Sequence, residues 1–277
     1  MKTFFLNLSL FTGLLILPLV VQAQQFKGTA HYLSKTTIKV SLDSTTANDA
    51  MQQQIQEAIR KQMEKEYLLT FDAFQSSYKE EEKLDKPQAA SGGFTFVMSG
   101  MASGLTYKNT KEKSFAREAE VFGKPFLIKD QLEAKPWKLE NETKKVGAYT
   151  AYKATFTETY EIKNLSIGTK NDTLQTETKT RTVVAWYTPE IPVNHGPGLY
   201  WGLPGLILEV NDGNTVLICD RIVLNPKDEI TVEIPKKGKT VTQAEYEQMQ
   251  EEKLKEMQEM YEGGMKGGNN IKIKIGN

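Results

Sequence analysis

Short runs of alternating apolar and polar residues dominate the chain and predict an antiparallel β-sheet. In Ile38-Lys39-Val40-Ser41-Leu42 every second side chain is apolar, which is the period of a strand with one solvated face. The predicted strands are residues 26–42, 67–78, 94–98, 105–108, 114–120, 126–128, 137–140, 149–162, 181–187, 206–210 and 215–223. Their number and short connections favour one large curved antiparallel sheet.

Two segments depart from this pattern and predict helices. Within residues 45–66, apolar residues recur every four positions from Met51 to Met63, which predicts an amphipathic surface helix after the first strand. Near the C-terminus, Thr242-Gln243-Ala244-Glu245 has the form of a helix capping box, and the helix should continue to about Tyr261 with a methionine-rich stripe packed on the sheet. The fold class is therefore α+β, mainly β.

Turn residues mark two connections. Asn211-Asp212-Gly213-Asn214 predicts a hairpin with a type I′ turn, because Asp-Gly tolerates positive φ angles. Pro204-Gly205 suits the centre of a type II turn that leads into a buried strand, Leu206-Ile207-Leu208. The polar stretch 164–180 should be a long hairpin excursion, and the Lys/Ile-rich tail 271–275 is either disordered or an edge strand.

The first 23 residues predict a cleaved secretory signal peptide, with one basic residue, Lys2, an apolar run and Val21-Gln22-Ala23 at its end. No later apolar run approaches the roughly 20 residues of a membrane helix, so no transmembrane span is expected in the mature chain. The expected organisation is a signal peptide over 1–23, a β-rich domain over 24–235, and a helix with a Gly-rich, Lys/Ile tail over 236–277.

The distribution of charged residues bears on the class of binding partner. The chain has 35 basic and 35 acidic residues, which are mixed along its length, so no electrostatic pattern favours nucleic acid or an anionic membrane surface. Cys219 is the only cysteine. No internal disulfide can form, and its apolar neighbours predict a buried structural thiol.

Motifs for catalysis are scarce. The chain has two histidines, His31 and His195, and lacks a nucleophile elbow, a zinc motif, a calcium loop and a phosphate-binding loop. We therefore assign no catalytic, cofactor-binding or metal-binding residue and expect no cofactor. The least favoured alternative is a carboxylate-based hydrolase whose acid–base groups are Glu190 and Glu209, or His195.

The segment 186–210 stands out because it combines prolines, which fix φ, with glycines, which free it, and with four aromatic residues. Such a loop is shaped by its backbone, and it is the candidate binding or structural loop. Its candidate residues are Trp186, Tyr187, Pro189, Glu190, Pro192, His195, Gly196, Pro197, Tyr200, Trp201, Gly202, Pro204, Gly205 and Glu209.

Residues 202–207 spell Gly-Leu-Pro-Gly-Leu-Ile, the signature of the GLPGLI family, which the chain resembles over roughly residues 26–224. Further motifs of this pattern occur in order, at residues 126–130, 137–139, 145–149, 153–155, 185–193 and 196–197. The resemblance implies an exported protein of the Gram-negative periplasm or outer-membrane periphery, of undefined biochemical role. It implies no catalytic residues.

Together these patterns favour a non-enzymatic binding or accessory protein for an envelope protein, a peptide or a lipid-like apolar ligand. A curved sheet like the half-barrels of periplasmic lipoprotein carriers would offer an apolar groove, with the candidate loop as its lip. A purely structural or assembly role is the main alternative. Whether the loop serves function or only folding stays open at this point.

Overall fold

The structure, a computed structural model, describes residues 26–36, 64–81, 103–121, 123–167, 174–264 and 271–276. The predicted signal peptide, most of the helix pattern in 45–66 and the predicted strand 94–98 lie outside these residues. The described strands are β1 Gly28–Thr36, β2 Lys65–Phe71, β3 Gln75–Glu80, β4 Ser103–Asn109, β5 Ser114–Val121, β6 Lys124–Gln131, β7 Lys138–Val146, β8 Tyr149–Ile167, β9 Leu174–Thr188, β10 Leu206–Asn211, β11 Thr215–Leu224, β12 Lys239–Val241 and β13 Ile271–Gly276. The helix α1 spans Gln243–Gly264.

These strands form one sheet in the order β12-β6-β5-β4-β3-β2-β1-β11-β10-β9-β8-β13, and β7 also pairs with β8. All pairs are antiparallel except β12 with β6, which is parallel because an extended segment, residues 225–238, carries the chain back from β11 to the far edge. We call this segment the strap. The predicted mainly β, α+β fold is confirmed, with this one parallel pair unforeseen.

Buried side chains of the described residues form three apolar clusters. The first gathers residues of β1, β2, β3, β8, β10 and β11 around Tyr32 and Phe71. The second lies under β5 and β6 and includes Tyr246 of α1, and the third joins β8, β9 and β10 around Phe156. Leu206, Ile207 and Leu208 are at most 1% exposed, which confirms the predicted core strand, and Cys219 is buried as predicted.

One predicted strand, residues 67–78, is instead a hairpin. The Asp72 carboxylate accepts hydrogen bonds from the amides of Phe74 (2.8 Å) and Gln75 (2.7 Å), and this side chain turns the chain between β2 and β3. The predicted helix 45–66 also extends too far, since Lys65 and Glu66 already pair with β1. Pairing with a buried strand outweighs the helical period at these two positions.

Two predicted turns form with different geometry. The β10–β11 hairpin is confirmed, but Gly213 is its only residue with positive φ, so the turn is not type I′. The Asp212 carboxylate instead accepts from the amides of Asn214 and Thr215. The Gly205 amide donates to the Leu203 carbonyl at 2.8 Å, so Pro204 is the centre of a γ-turn and not of a type II turn.

The C-terminal elements pack on the sheet. The capping box is confirmed: the Glu245 amide donates to Thr242 Oγ1 (3.2 Å), and the Thr242 amide donates to Glu245 Oε2 (2.8 Å). Tyr246 is buried against Phe126. Of the two alternatives for the tail, the edge strand is the one observed: β13 pairs with β8. No helix in the described ranges is both long and apolar enough to cross a membrane.

Candidate functional site

The candidate loop passes through the interior of the protein. We call residues 189–205, between β9 and β10, the inner loop. It contributes to all three clusters, with Ile191 and Val193 in the first, Trp201 in the second and Leu203 in the third. Among the candidate residues, Tyr187, His195, Gly196, Pro197, Trp201 and Gly205 are buried, Trp186, Tyr200 and Glu209 are half-buried, and Pro189, Glu190, Pro192, Gly202 and Pro204 are exposed.

Backbone hydrogen bonds fix the path of the inner loop. The Leu206 amide donates to the Ile191 carbonyl and the Ile207 amide to the His195 carbonyl, both at 3.0 Å. The Gly202 amide donates to the Asn194 carbonyl at 3.1 Å. The loop is thus bonded like a strand end, which explains how so irregular a segment is buried without leaving its polar backbone groups unsatisfied.

Glycine is required where the inner loop touches its neighbours. A Cβ on Gly205 would lie 2.1 Å from the Thr188 carbonyl oxygen, and one on Gly196 would lie 2.7 Å from Ile207 Cδ1. The first contact is with backbone, which cannot yield. These glycines therefore allow close packing of the loop on β9 and β10.

Trp201 fastens the inner loop to the segment after β6. Its indole Nε1–H donates to the Glu133 carbonyl at 2.8 Å, and the Trp137 Nε1–H donates to the Trp201 carbonyl at the same distance. Trp201 is 6% exposed and belongs to the second cluster. Two distant parts of the chain are therefore joined through one residue.

Lys108 of β4 reaches the inner loop from the other side of the core. Its side chain is fully buried, and its Nζ donates to the carbonyls of Gly196 (2.6 Å) and Tyr200 (2.9 Å). Burial lowers the pKa of Lys108 from 10.5 to about 7, because the charged form loses its hydration. The ammonium thus anchors the loop, but near neutral pH it costs free energy to keep this buried side chain protonated.

His195 is also fully buried and serves the same loop. Its Nε2 lies 3.1 Å from the Asp72 carbonyl, so Nε2–H donates and Nδ1 carries the lone pair. Burial, followed by the Lys108 charge, lowers the pKa of His195 to about 3. A general base must reach its substrate, and this imidazole is 0% exposed.

The two candidate carboxylates have separate partners. Glu190 Oε1 accepts from the Thr150 amide at 2.8 Å. Glu209 Oε2 bonds to Lys144 Nζ at 2.6 Å, and that ammonium lies 4.4 Å from the centroid of the Trp186 ring. No hydrogen bond joins the two carboxylates within the described chain. Nor do the described residues contain a group of three or more His, Cys, Asp or Glu that could hold a metal ion.

Sequence patterns did not point to Lys108 or to Tyr32, whose hydroxyl donates to the Ile207 carbonyl at 2.6 Å. In β4 the apolar residues Leu105 and Tyr107 are half-buried, whereas the polar residues Thr106 and Lys108 are buried. The only available signal was the buried carbonyl groups that an irregular loop must satisfy. Such carbonyl groups require a hydrogen-bond donor, but the sequence does not show which residue supplies it.

An apolar surface remains exposed beside the inner loop. Leu139 is 55% and Tyr152 37% exposed, and Tyr152 lies opposite Tyr187 on β9, with ring centroids 6.1 Å apart. Leu139 pairs with Ala154, two residues along β8, and the chain turns at exposed Pro189 just after β9. We call Leu139, Tyr152, Pro189 and Pro204 the rim.

Comparison with known proteins adds little functional information. A family model described as "Protein of unknown function (Porph_ging)" matches residues 137–209, a range that holds the rim and the inner loop. No curated protein matches the chain. Two solved structures of PNGF-II, in space groups P21 and C2, align with 81% of this chain at 14% identity and TM-scores of 0.47 and 0.46. The chain spans about a third of that protein, 33% and 32%.

Proposed function

We propose that the protein is an exported envelope protein of the GLPGLI type that binds a partner protein or peptide through the rim and carries out no catalysis. The signal-like residues 1–23 support export, and the hexapeptide at 202–207 supports the family assignment. The interior positions of His195 and Lys108 support a structural use of these groups.

One observation carries the proposal: the inner loop turns its aromatic residues into the core, while apolar side chains beside it stay exposed. Tyr152 and Leu139 expose an aromatic and an aliphatic side chain, and tyrosine is enriched at sites that dominate binding energy. The prolines at 189 and 204 restrict the backbone of the rim, so binding would order little of this surface.

The test is comparative co-purification. Wild-type protein, the double variant Leu139→Ser/Tyr152→Ser, and the control Val223→Ser, whose side chain is 41% exposed on β11, are cross-linked in the native envelope and their partners quantified by mass spectrometry. We expect a partner retained by wild type and control and reduced about tenfold or more by the rim variant, the loss of about 1.4 kcal/mol of binding energy. Identical partner sets for all three proteins would reject the proposal.

The structural alternative has its own observation, the contacts that the inner loop makes with all three clusters. It predicts that the rim variant fully complements a strain from which the gene has been deleted. A variant that unfolds the inner loop should not complement that strain. Thermal unfolding of the purified rim variant shows beforehand that its fold is intact.

A further inference from the structure

A second surface lies where the strap crosses the sheet. Residues 231–237 of the strap and the adjacent strands β4 and β5 enclose an open groove with a volume of about 590 Å³, which is within the range of roughly 300–1,000 Å³ typical of small-molecule sites. Its walls are Leu105, Glu118, Thr231, Val232, Glu233, Ile234, Lys236 and Lys237.

A local irregularity in β4 lies at the wall of this groove, where Leu105 lines it. The pairing of β4 with β5 shifts between Ser103 and Thr106, and such a bulge re-aims the side chains beside it. Gly104 lies against Glu118, since a Cβ there would be 2.9 Å from Glu118 Cβ. The glycine therefore lets the Glu118 side chain reach the strap.

Two contacts pin the strap in place. Glu118 Oε1 accepts from the amides of Lys236 and Lys237, both at 3.3 Å. Glu233 forms an ion pair with Lys79 of β3. Both acidic groups of the groove are thus engaged within the protein. Glu233 is neutralised by Lys79, whereas Glu118 keeps its charge because its partners are backbone amides.

What remains for a ligand is an apolar surface with two lysines against one carboxylate, and it is net positive. Ile234 is 53% exposed and shares the groove with Leu105 and Val232. The side chains of Lys236 and Lys237 are exposed, and neither forms an ion pair with another described residue. An apolar floor beside two lysines complements a molecule with a hydrocarbon chain and an anionic head.

We propose that this groove binds a single-chain amphipathic anion, an acyl chain that ends in a carboxylate or a phosphate. The chain lies along Ile234, and the head group lies at Lys236 and Lys237. Binding strengthens with each buried methylene group, whereas exposed ion pairs contribute little, so chain length sets affinity and the lysines select the anion. This site is separate from the rim and does not depend on the partner proposed there.

The probe is 11-(dansylamino)undecanoic acid, titrated by fluorescence into the purified full chain. We expect saturable binding that dodecanoate or dodecyl phosphate reverses at a concentration about tenfold lower than dodecanol does. Reversal by dodecanoate alone assigns the groove to free carboxylates, and reversal by dodecyl phosphate alone assigns it to phosphate head groups. Equal displacement by dodecanol would overturn the proposal, as would the absence of saturable binding.

Variants test whether the probe binds in this groove. Lys236→Glu/Lys237→Glu should weaken binding about tenfold, and Ile234→Ser should also weaken it. The controls Lys227→Glu and Val223→Ser, which change exposed residues outside the groove, should bind like wild type. The lysine variant retains the two donors to Glu118, because these are backbone amides and not lysine side chains. Unchanged binding in this variant would contradict the proposal.

Discussion

At the residue scale, Lys108 links the stability of the protein to pH. Its pKa is about 7 in the folded chain and 10.5 as the ordinary value, so between these pH values the unfolded chain holds a proton that the folded chain lacks. The contribution of Lys108 to the free energy of unfolding is therefore fully present above pH 10.5, and it is lost as the pH falls through about 7.

Replacing Lys108 by Met should remove this dependence. We expect the free energy of unfolding of the wild type, relative to the variant, to rise with pH between 7 and 10.5 by up to about 1.4 kcal/mol per pH unit. Urea unfolding at several pH values measures it, with Lys227→Met, an exposed lysine, as control. Parallel pH profiles for wild type and Lys108→Met would refute the role of Lys108.

Gly205 gives a second prediction at this scale. Gly205→Ala places a methyl group against the backbone of Thr188 and Pro189 and should destabilise the protein by about 2 kcal/mol or more. Gly213→Ala is the control, because Gly213 also has positive φ but a methyl group added there would meet no atom within 4 Å; strain alone costs roughly 1–2 kcal/mol. Thermal unfolding should rank Gly205→Ala below Gly213→Ala, and the reverse order would contradict the close packing.

At the element scale, the start of α1 depends on its capping box. Thr242→Ala removes the acceptor of the Glu245 amide and should lower the free energy of unfolding by about 1 kcal/mol. Hydrogen exchange should show the Glu245 amide exchanging faster, while amides of β1 and β11 keep their rates. An unchanged rate at Glu245 would mean that the cap does not hold the helix.

Local chemistry decided which elements could be predicted from the sequence. The β10–β11 hairpin and the start of α1 were predictable because Asp212-Gly213 and Thr242-Glu245 act within four residues. The break between β2 and β3 was missed, since Asp72 forms its turn inside an otherwise apolar stretch. β12 has three residues and pairs with Phe126–Ile128, so only its distant partner makes it a strand.

At the scale of the whole molecule, the inner loop is a brace that contributes buried residues to all three clusters. Its prolines, glycines and aromatic residues marked it in the sequence, but its burial could not be predicted. Two groups that hold it in the core are distant in the chain. Lys108 is 88 residues from Gly196, and Glu133 is 68 residues from Trp201. The predicted lip is therefore largely interior, and the exposed rim beside it depends on this brace for its shape.

Native-state hydrogen exchange tests the brace most directly. The amides of Gly202, Leu206 and Ile207 donate to carbonyls of the inner loop itself, and we predict that they exchange as slowly as the paired amides of β1 and β11, because only global unfolding exposes them. If these amides exchange orders of magnitude faster than the strand amides, the inner loop opens independently, and the account of it as a core brace is wrong.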